Sequence, residues 1–129
     1  MQTTNSTTHN RVIDTIEARI DWDYVYGRSG PMIVGRLDDG LEVRIYNDDE
    51  PYDAGDCELS DDDWRNLEVI GVGVGRAGHD DLDTVWGVAY LDGDATGNAL
   101  RTAVECGFID AARNDLEARR EANTVRSIN

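Results

Sequence analysis

Residues 16–26 alternate. Ile16, Ala18, Ile20, Trp22, Tyr24 and Tyr26 take every second position, and Glu17, Arg19, Asp21, Asp23 and Val25 fill the gaps. A period of two places one set of side chains on each face of a strand, so the apolar set must be buried against a second layer. The pattern predicts a strand over 16–26. A helix over 11–20 is the rival, because Ile13, Ile16 and Ile20 also share a helical face, and residues 10–15 stay open between the two.

The rest of the chain continues in short units. Residues 27–31 form a turn, and 32–37 predict a second strand. Leu41, Val43 and Ile45 alternate with Glu42, Arg44 and Tyr46 in a third. Asp38-Asp39-Gly40 connects those two strands as a hairpin, since glycine adopts positive φ without steric cost. Residues 47–59 are an acidic loop broken by Pro51 and Gly55. Ser60 then caps a short helix ending near Leu67, with Asp61, Asp62 and Asp63 at its positive end. Two more strands follow over 69–74 and 85–91, joined by a Gly- and Asp-rich link, 75–84.

Thr96 or Asn98 is expected to cap the last element. Leu100, Val104, Phe108, Ala112 and Leu116 recur at four-residue steps and predict one amphipathic helix over 98–122. The order β-β-β-α-β-β-α predicts an α+β fold. Its mostly antiparallel sheet of about five strands carries one long C-terminal helix on one face. Residues 1–10 are expected to be a mobile polar tail and 11–129 a single domain. No internal repeat is present.

Charge narrows the function. The chain has 27 acids against 12 bases, all arginine, a net charge of −15. Small soluble domains usually carry a charge of magnitude ~2–8. Residues 95–129 hold five acids and five bases, and residues 1–94 hold 22 acids against 7 arginines. Between Asp38 and Asp63 there are 12 acids and one base, Arg44, a net of −11. A halophilic coat should cover every exposed face, and general solubility needs no focus. Charge this focal favours an acidic interaction surface.

Several classes fall away. No apolar run approaches the ~18 residues of a membrane span. Residues 1–10 lack the basic and apolar parts of a secretory signal, which favours the cytoplasm, the host's if the chain is phage-encoded. A strongly negative chain repels phosphate, which excludes direct nucleic-acid binding. Cys57 and Cys106 are far apart and in no metal-binding spacing, so two reduced thiols are expected rather than a disulfide.

Motifs of ligand chemistry fail on inspection. Gly73-Val74-Gly75-Arg76-Ala77-Gly78 matches the dinucleotide-binding pattern, but His79-Asp80-Asp81-Leu82-Asp83 follows instead of a helix and would repel a pyrophosphate. A Gly-rich strand with tight neighbours or a bulge is the better reading. Residues 92–98 resemble the start of a calcium loop, yet the twelfth position is Ala103 rather than a bidentate Glu. A polar turn capping the last helix fits instead. His79 with Asp80, Asp81 and Asp83 forms no convergent metal set. With so many carboxylates, no acid pair is informative about catalysis, and no nucleophile has a local partner. The chain is expected to be no enzyme and to use no cofactor or metal.

The segment 46–64 is the candidate binding site. Asp48, Asp49, Glu50, Asp53, Asp56, Glu58, Asp61, Asp62 and Asp63 steer a basic partner, and Tyr46, Tyr52 and Trp64 among them supply anchors. A plain solvated loop, its aromatics folded into the core, is the competing reading. Fifteen charges equal about 25 Å of duplex DNA, and a compact domain of this length is roughly 35 Å across. The expected partner is therefore a basic nucleic-acid-binding protein or complex, blocked by a DNA-mimic-like inhibitor. Phage or mobile-element proteins of the anti-CRISPR or anti-restriction kind have this character. Two alternatives stand beside it: a halophile-adapted domain with an unknown ligand, and an immunity protein for a nuclease toxin. Trp22, Trp86 and the C-terminal helix are candidates for a dimer interface.

Overall fold

A computed structural model describes residues 11–17, 19–25, 30–48 and 59–128, with side chains as far as 122. The polar tail and most of the acidic loop, 49–58, lie outside the described residues. Five strands, β1 (Asp21–Tyr24), β2 (Ile33–Arg36), β3 (Leu41–Asn47), β4 (Glu68–Arg76) and β5 (Asp81–Tyr90), lie side by side in chain order. Every neighbouring pair is antiparallel. Four helices accompany them among the described residues: α1 (11–17), α2 (Asp61–Asn66), α3 (Ala95–Glu105) and α4 (Phe108–Ile128). The chain is an α+β protein, as the element order predicts.

One sheet face is the core. Alternation in β3 and β4 sends Leu41, Val43 and Ile45 and their neighbours Ile70, Val72 and Val74 to that face, where they are fully or almost fully buried. Helices α3 and α4 bring Ala99, Leu100, Ala103, Ile109 and Ala112, and α1 adds Ile13 and Ile16. The alanines let the helix backbones approach the sheet closely, so the β-branched residues of the strands fill the space between.

The alternation at 16–26 is only partly a strand. Residues 11–17 are helical and the strand begins at Asp21. A spacing of four, as between Ile16 and Ile20, satisfies both a period of two and a helical face, and burial decides between them. Ile13 and Ile16 enter the core together from one helical face. The chain then leaves the helix through bonds from the Arg19 and Ile20 N–H groups to the Ile16 carbonyl. Trp22 also faces the core, packed over Gly35.

The hairpin at Asp38-Asp39-Gly40 forms as expected, with Gly40 at φ +81. The link expected over 75–84 is far shorter. β4 runs on to Arg76, and β5 starts at Asp81 after a tight turn. Acids are tolerated inside β5 because Asp81 is satisfied within the sheet and Asp83 is exposed on this edge strand. The single helix expected over 98–122 is two helices, broken at Gly107, which has φ +76. Four-residue steps drift about 40° each around a helix. A straight helix would therefore rotate Leu116 away from the face that buries Leu100, and the break resets the orientation. The cap is Asp94 rather than Thr96 or Asn98. Its Oδ1 accepts from the Gly97 N–H at 3.1 Å, and Asp92 Oδ1 accepts from Asn98 Nδ2 at 2.8 Å. The calcium-like loop thus spends its carboxylates on starting α3.

Leu100→Ala should cost about 2–5 kcal/mol in urea unfolding, because Leu100 is fully buried among side chains from both layers. Gly107→Ala should cost about 1 kcal/mol or more by forcing a Cβ into a left-handed backbone. An unchanged unfolding midpoint for Gly107→Ala would show that the helix break tolerates ordinary backbone conformations.

Candidate partner-binding face

The face away from the helices is built around a strip of glycines. Gly71, Gly73 and Gly75 alternate on β4, opposite Tyr46, Arg44 and Glu42 of β3. A Cβ at Gly71 would lie 2.5 Å from the Trp86 ring, and one at Gly75 would lie 2.7 Å from Arg44 Nη1. The carboxylate of Asp81 occupies the corresponding space over Gly73. Glycine is needed here because side chains from both neighbouring strands reach across β4. The dinucleotide-like motif thereby receives a structural explanation. Its strand continues into a hairpin, and no helix N-terminus follows it.

Arg44 is the one buried charged residue among the described residues, 7% exposed. Its Nη1 donates to Asp81 Oδ1 at 2.7 Å. Nε and Nη2 donate to Glu42 Oε1 at 3.1 and 2.9 Å, and Nη2 also reaches the Arg76 carbonyl. Burial alone would lower its pKa, but the bonds and charges of Asp81 and Glu42 outweigh that and raise it. Asp81 Oδ2 accepts from Tyr46 OH at 2.6 Å and from Thr84 Oγ1 at 2.9 Å. Burial, then the bond to Asp81, push the Tyr46 phenol up to about 12. Arg36, bonded to Asp23 and 3.8 Å from Glu42, extends the network toward β1.

β5 carries two irregularities against β4, one near Leu82 and one at Trp86-Gly87. Gly87 has φ +74, as a bulge of this kind requires. Its N–H donates to Asp48 Oδ2 at 2.8 Å. The bulge carries Trp86 over Gly71 and beside Tyr46, ring centroids 5.5 Å apart.

The charge segregates between the two ends of the sheet. At the hairpin end, Asp38 faces Arg19 at 3.7 Å and Asp39 faces Arg113 at 3.0 Å. The opposite end is where β3 leaves, β4 begins and β5 finishes, because Asn47 pairs with Ile70 and Glu68 with Tyr90. Asp48, Asp61, Asp62, Asp63, Glu68, Asp92 and Asp94 gather there, and Arg65 is the one arginine of the described segments that meet there. Its bridge to Asp62 is 3.5 Å long with both side chains largely in solvent, so it neutralises little. Glu68 accepts from Tyr90 OH at 2.6 Å. Burial, that bond and the charges of Glu68, Asp92 and Asp94 raise the Tyr90 pKa.

The expected site residues therefore divide. Asp48, Asp61, Asp62, Asp63 and Trp64 share one end of the sheet. Helix α2 has no buried residue, and Trp64 is 48% exposed rather than folded into the core. Tyr46 is half-buried and turned into the Arg44 network. Asp49, Glu50, Tyr52, Asp53, Asp56 and Glu58 lie outside the described residues. Glu68, Asp92, Asp94 and the exposed Trp86 were not anticipated as parts of the face, because only strand register brings them to it. Asp81 joins Arg44 while Asp83 pairs opposite Val74, so the acids after His79 diverge.

Arg44→Met should destabilise the fold by about 2–3 kcal/mol in urea, because Asp81 and Glu42 lose their counter-charge while only slightly exposed. A raised tyrosine pKa stabilises the fold below the ordinary value of ~10 and ceases to do so as pH rises through the folded value. Stability should therefore fall between pH 10.0 and about 12, less steeply in Tyr46→Phe. Urea titrations across that range, with ultraviolet tyrosinate absorbance, will show it. No protein-family model matches the chain, and neither curated proteins nor solved structures match it, so its function is read from geometry alone.

Proposed function

We propose that this protein is a small inhibitor that binds a basic nucleic-acid-binding protein through the acidic end of its sheet. The observation that carries the reading is the local imbalance there: seven described carboxylates against one described arginine, Arg65. The segment 49–58 adds five acids and no base in sequence. Seven carboxylates match the charge of about 12 Å of duplex, and three adjacent strand ends span about 10 Å. The charge density is thus that of a nucleic acid, on a scaffold that holds several of the carboxylates by hydrogen bonds. Trp64 adds an aromatic anchor at the same end. A protein of this kind occupies the positive channel of its target in the host cytoplasm, as a phage or mobile-element inhibitor of CRISPR or restriction complexes does. An immunity protein against a nuclease toxin would use the same chemistry.

The paired acids at the hairpin end and the balanced C-terminal segment support a directed surface over a halophilic coat. A coat should also make the fold depend on salt, since unscreened carboxylates repel.

The test is displacement of labelled duplex from purified basic targets: a CRISPR effector, a restriction endonuclease and a nuclease toxin. The protein should compete with at least one, more weakly as salt rises. Reversing Asp61, Asp62 and Asp63 together to lysine should weaken competition at least about tenfold and flatten the salt dependence, while the variant loses the helix-start stabilisation of α2 and stays folded by circular dichroism. Undiminished competition by the folded triple variant would end the proposal. A wild-type protein that folds only in multimolar KCl would favour the coat.

A further inference from the structure

Trp86 stands apart from the other tryptophans. Trp22 packs against the core, and Trp64 sits on a helix that buries no residue. Trp86 is 56% exposed and yet held from several sides. Its six-membered ring fills the space over Gly71, with Cε3 at 2.5 Å and Cζ3 at 2.7 Å from where a Cβ would be. Tyr46 packs beside it at 5.5 Å, tilted by 43°. Tyr46 is itself fixed by its bond to Asp81. The Gly87 bulge that orients the indole is tied to Asp48.

The surroundings select a ligand. Carboxylates outnumber cations around the aromatic pair: Asp48 bonds the Gly87 N–H on one side, and on the Tyr46 side Asp81 and Glu42 together outweigh Arg44. Where β5 ends, Asp92 and Asp94 add further negative charge, and no arginine lies between Arg76 and Arg101 in sequence. An indole presents a negative π face, and a planar cation is the group that both the ring and nearby carboxylates attract. Guanidinium stacks on an aromatic face and bonds carboxylates in its own plane, which an ammonium group cannot do. A nucleobase would stack as well, but its phosphates would meet the same acids. A second copy of a chain with net charge −15 would be repelled.

We infer that Trp86, braced by Tyr46 and Gly71, is a receptor for an arginine side chain of the basic partner. This rests on the acidic-face reading and deepens it, because it names a partner residue and a point of contact outside segment 46–64.

The probes are an octa-arginine and an octa-lysine peptide, titrated calorimetrically at physiological ionic strength against wild type, Trp86→Ala, Trp86→Phe and the triple reversal of Asp61 to Asp63. Wild type should bind both peptides and favour arginine. Trp86→Ala should lose about tenfold on the arginine peptide and clearly less on the lysine peptide. Trp86→Phe should keep most of the preference and also covers Gly71, so a folding defect in the alanine variant cannot mimic the result. The triple reversal should weaken both peptides alike. Equal affinity of wild type and Trp86→Ala for octa-arginine, with the triple reversal still effective, would overturn the arginine receptor and leave the acidic face standing. An equal loss on both peptides would also overturn it. Failure of wild type to bind either peptide would overturn both readings together.

Discussion

The pairing of Arg44 with Asp81 and Glu42 organises the open side of the sheet. A guanidinium on β3 reaches a carboxylate on β5 across β4, and it can do so only because β4 presents glycine where other strands present side chains. A buried ion pair of this kind gives little net stability over a well-packed apolar substitute, since desolvation offsets most of the attraction. It specifies pairing instead. A one-residue slip of β5 would send Asp81 to the core face and leave the buried Arg44 with Glu42 as its one carboxylate partner. Tyr46 and Thr84, both bonded to Asp81, are placed by the same constraint, and through Tyr46 so is the exposed indole of Trp86.

The two sheet ends differ because their arginines come from different places. Arg19 lies just beyond α1 and Arg113 on α4, and both reach the hairpin end. The opposite end is formed by the β3 exit, α2, the start of β4 and the β5–α3 turn, segments that bring Arg65 alone among described bases. Like charges so close raise the local potential and destabilise the fold that holds them. Part of that cost is met locally. Three Asp residues sit in the first turn of α2, where the helix dipole favours them, and Asp94 caps α3. The carboxylates are thus concentrated by helix-start chemistry as well as by any need to bind.

Much of this was legible in the sequence. The β2–β3 hairpin, the Ser60 cap and the alternation of β3 follow from residue type and period, because each depends on neighbours in sequence. The glycine-rich strand was recognisable as a tightly approached one. What failed depended on spacing that fits two structures or on partners distant in sequence. Ile16 and Ile20 satisfy helix and strand alike. The four-residue steps from Leu100 to Leu116 looked like one helix because their slow rotation shows only when the burying surface is known. Asp81 looked like a loop residue because its partner Arg44 lies 37 positions away. The acidic face was half legible: Asp61 to Asp63 and Trp64 lie where the charge run placed them, while Glu68, Asp92 and Asp94 reach it only through the register of β4 and β5.

That division changes how the acidic face should be understood. A count of carboxylates treats every acid as equivalent, but those described here do two kinds of work. Asp48 closes the Gly87 bulge, Glu68 accepts from Tyr90, and Asp92 and Asp94 start α3. Each of these holds its geometry through a bond that its removal would break, so each carries charge to the face at a fixed position. Asp61 and Asp62 protrude from a helix that buries nothing, and their contribution is almost purely electrostatic. A surface made this way combines rigid charges near the sheet with adjustable ones on α2. Under the proposed function, rigid charges set where a basic partner presents its own, and adjustable ones tolerate variation in it. On that proposal, selectivity comes from the carboxylates that the fold cannot spare, and reach comes from those that it can.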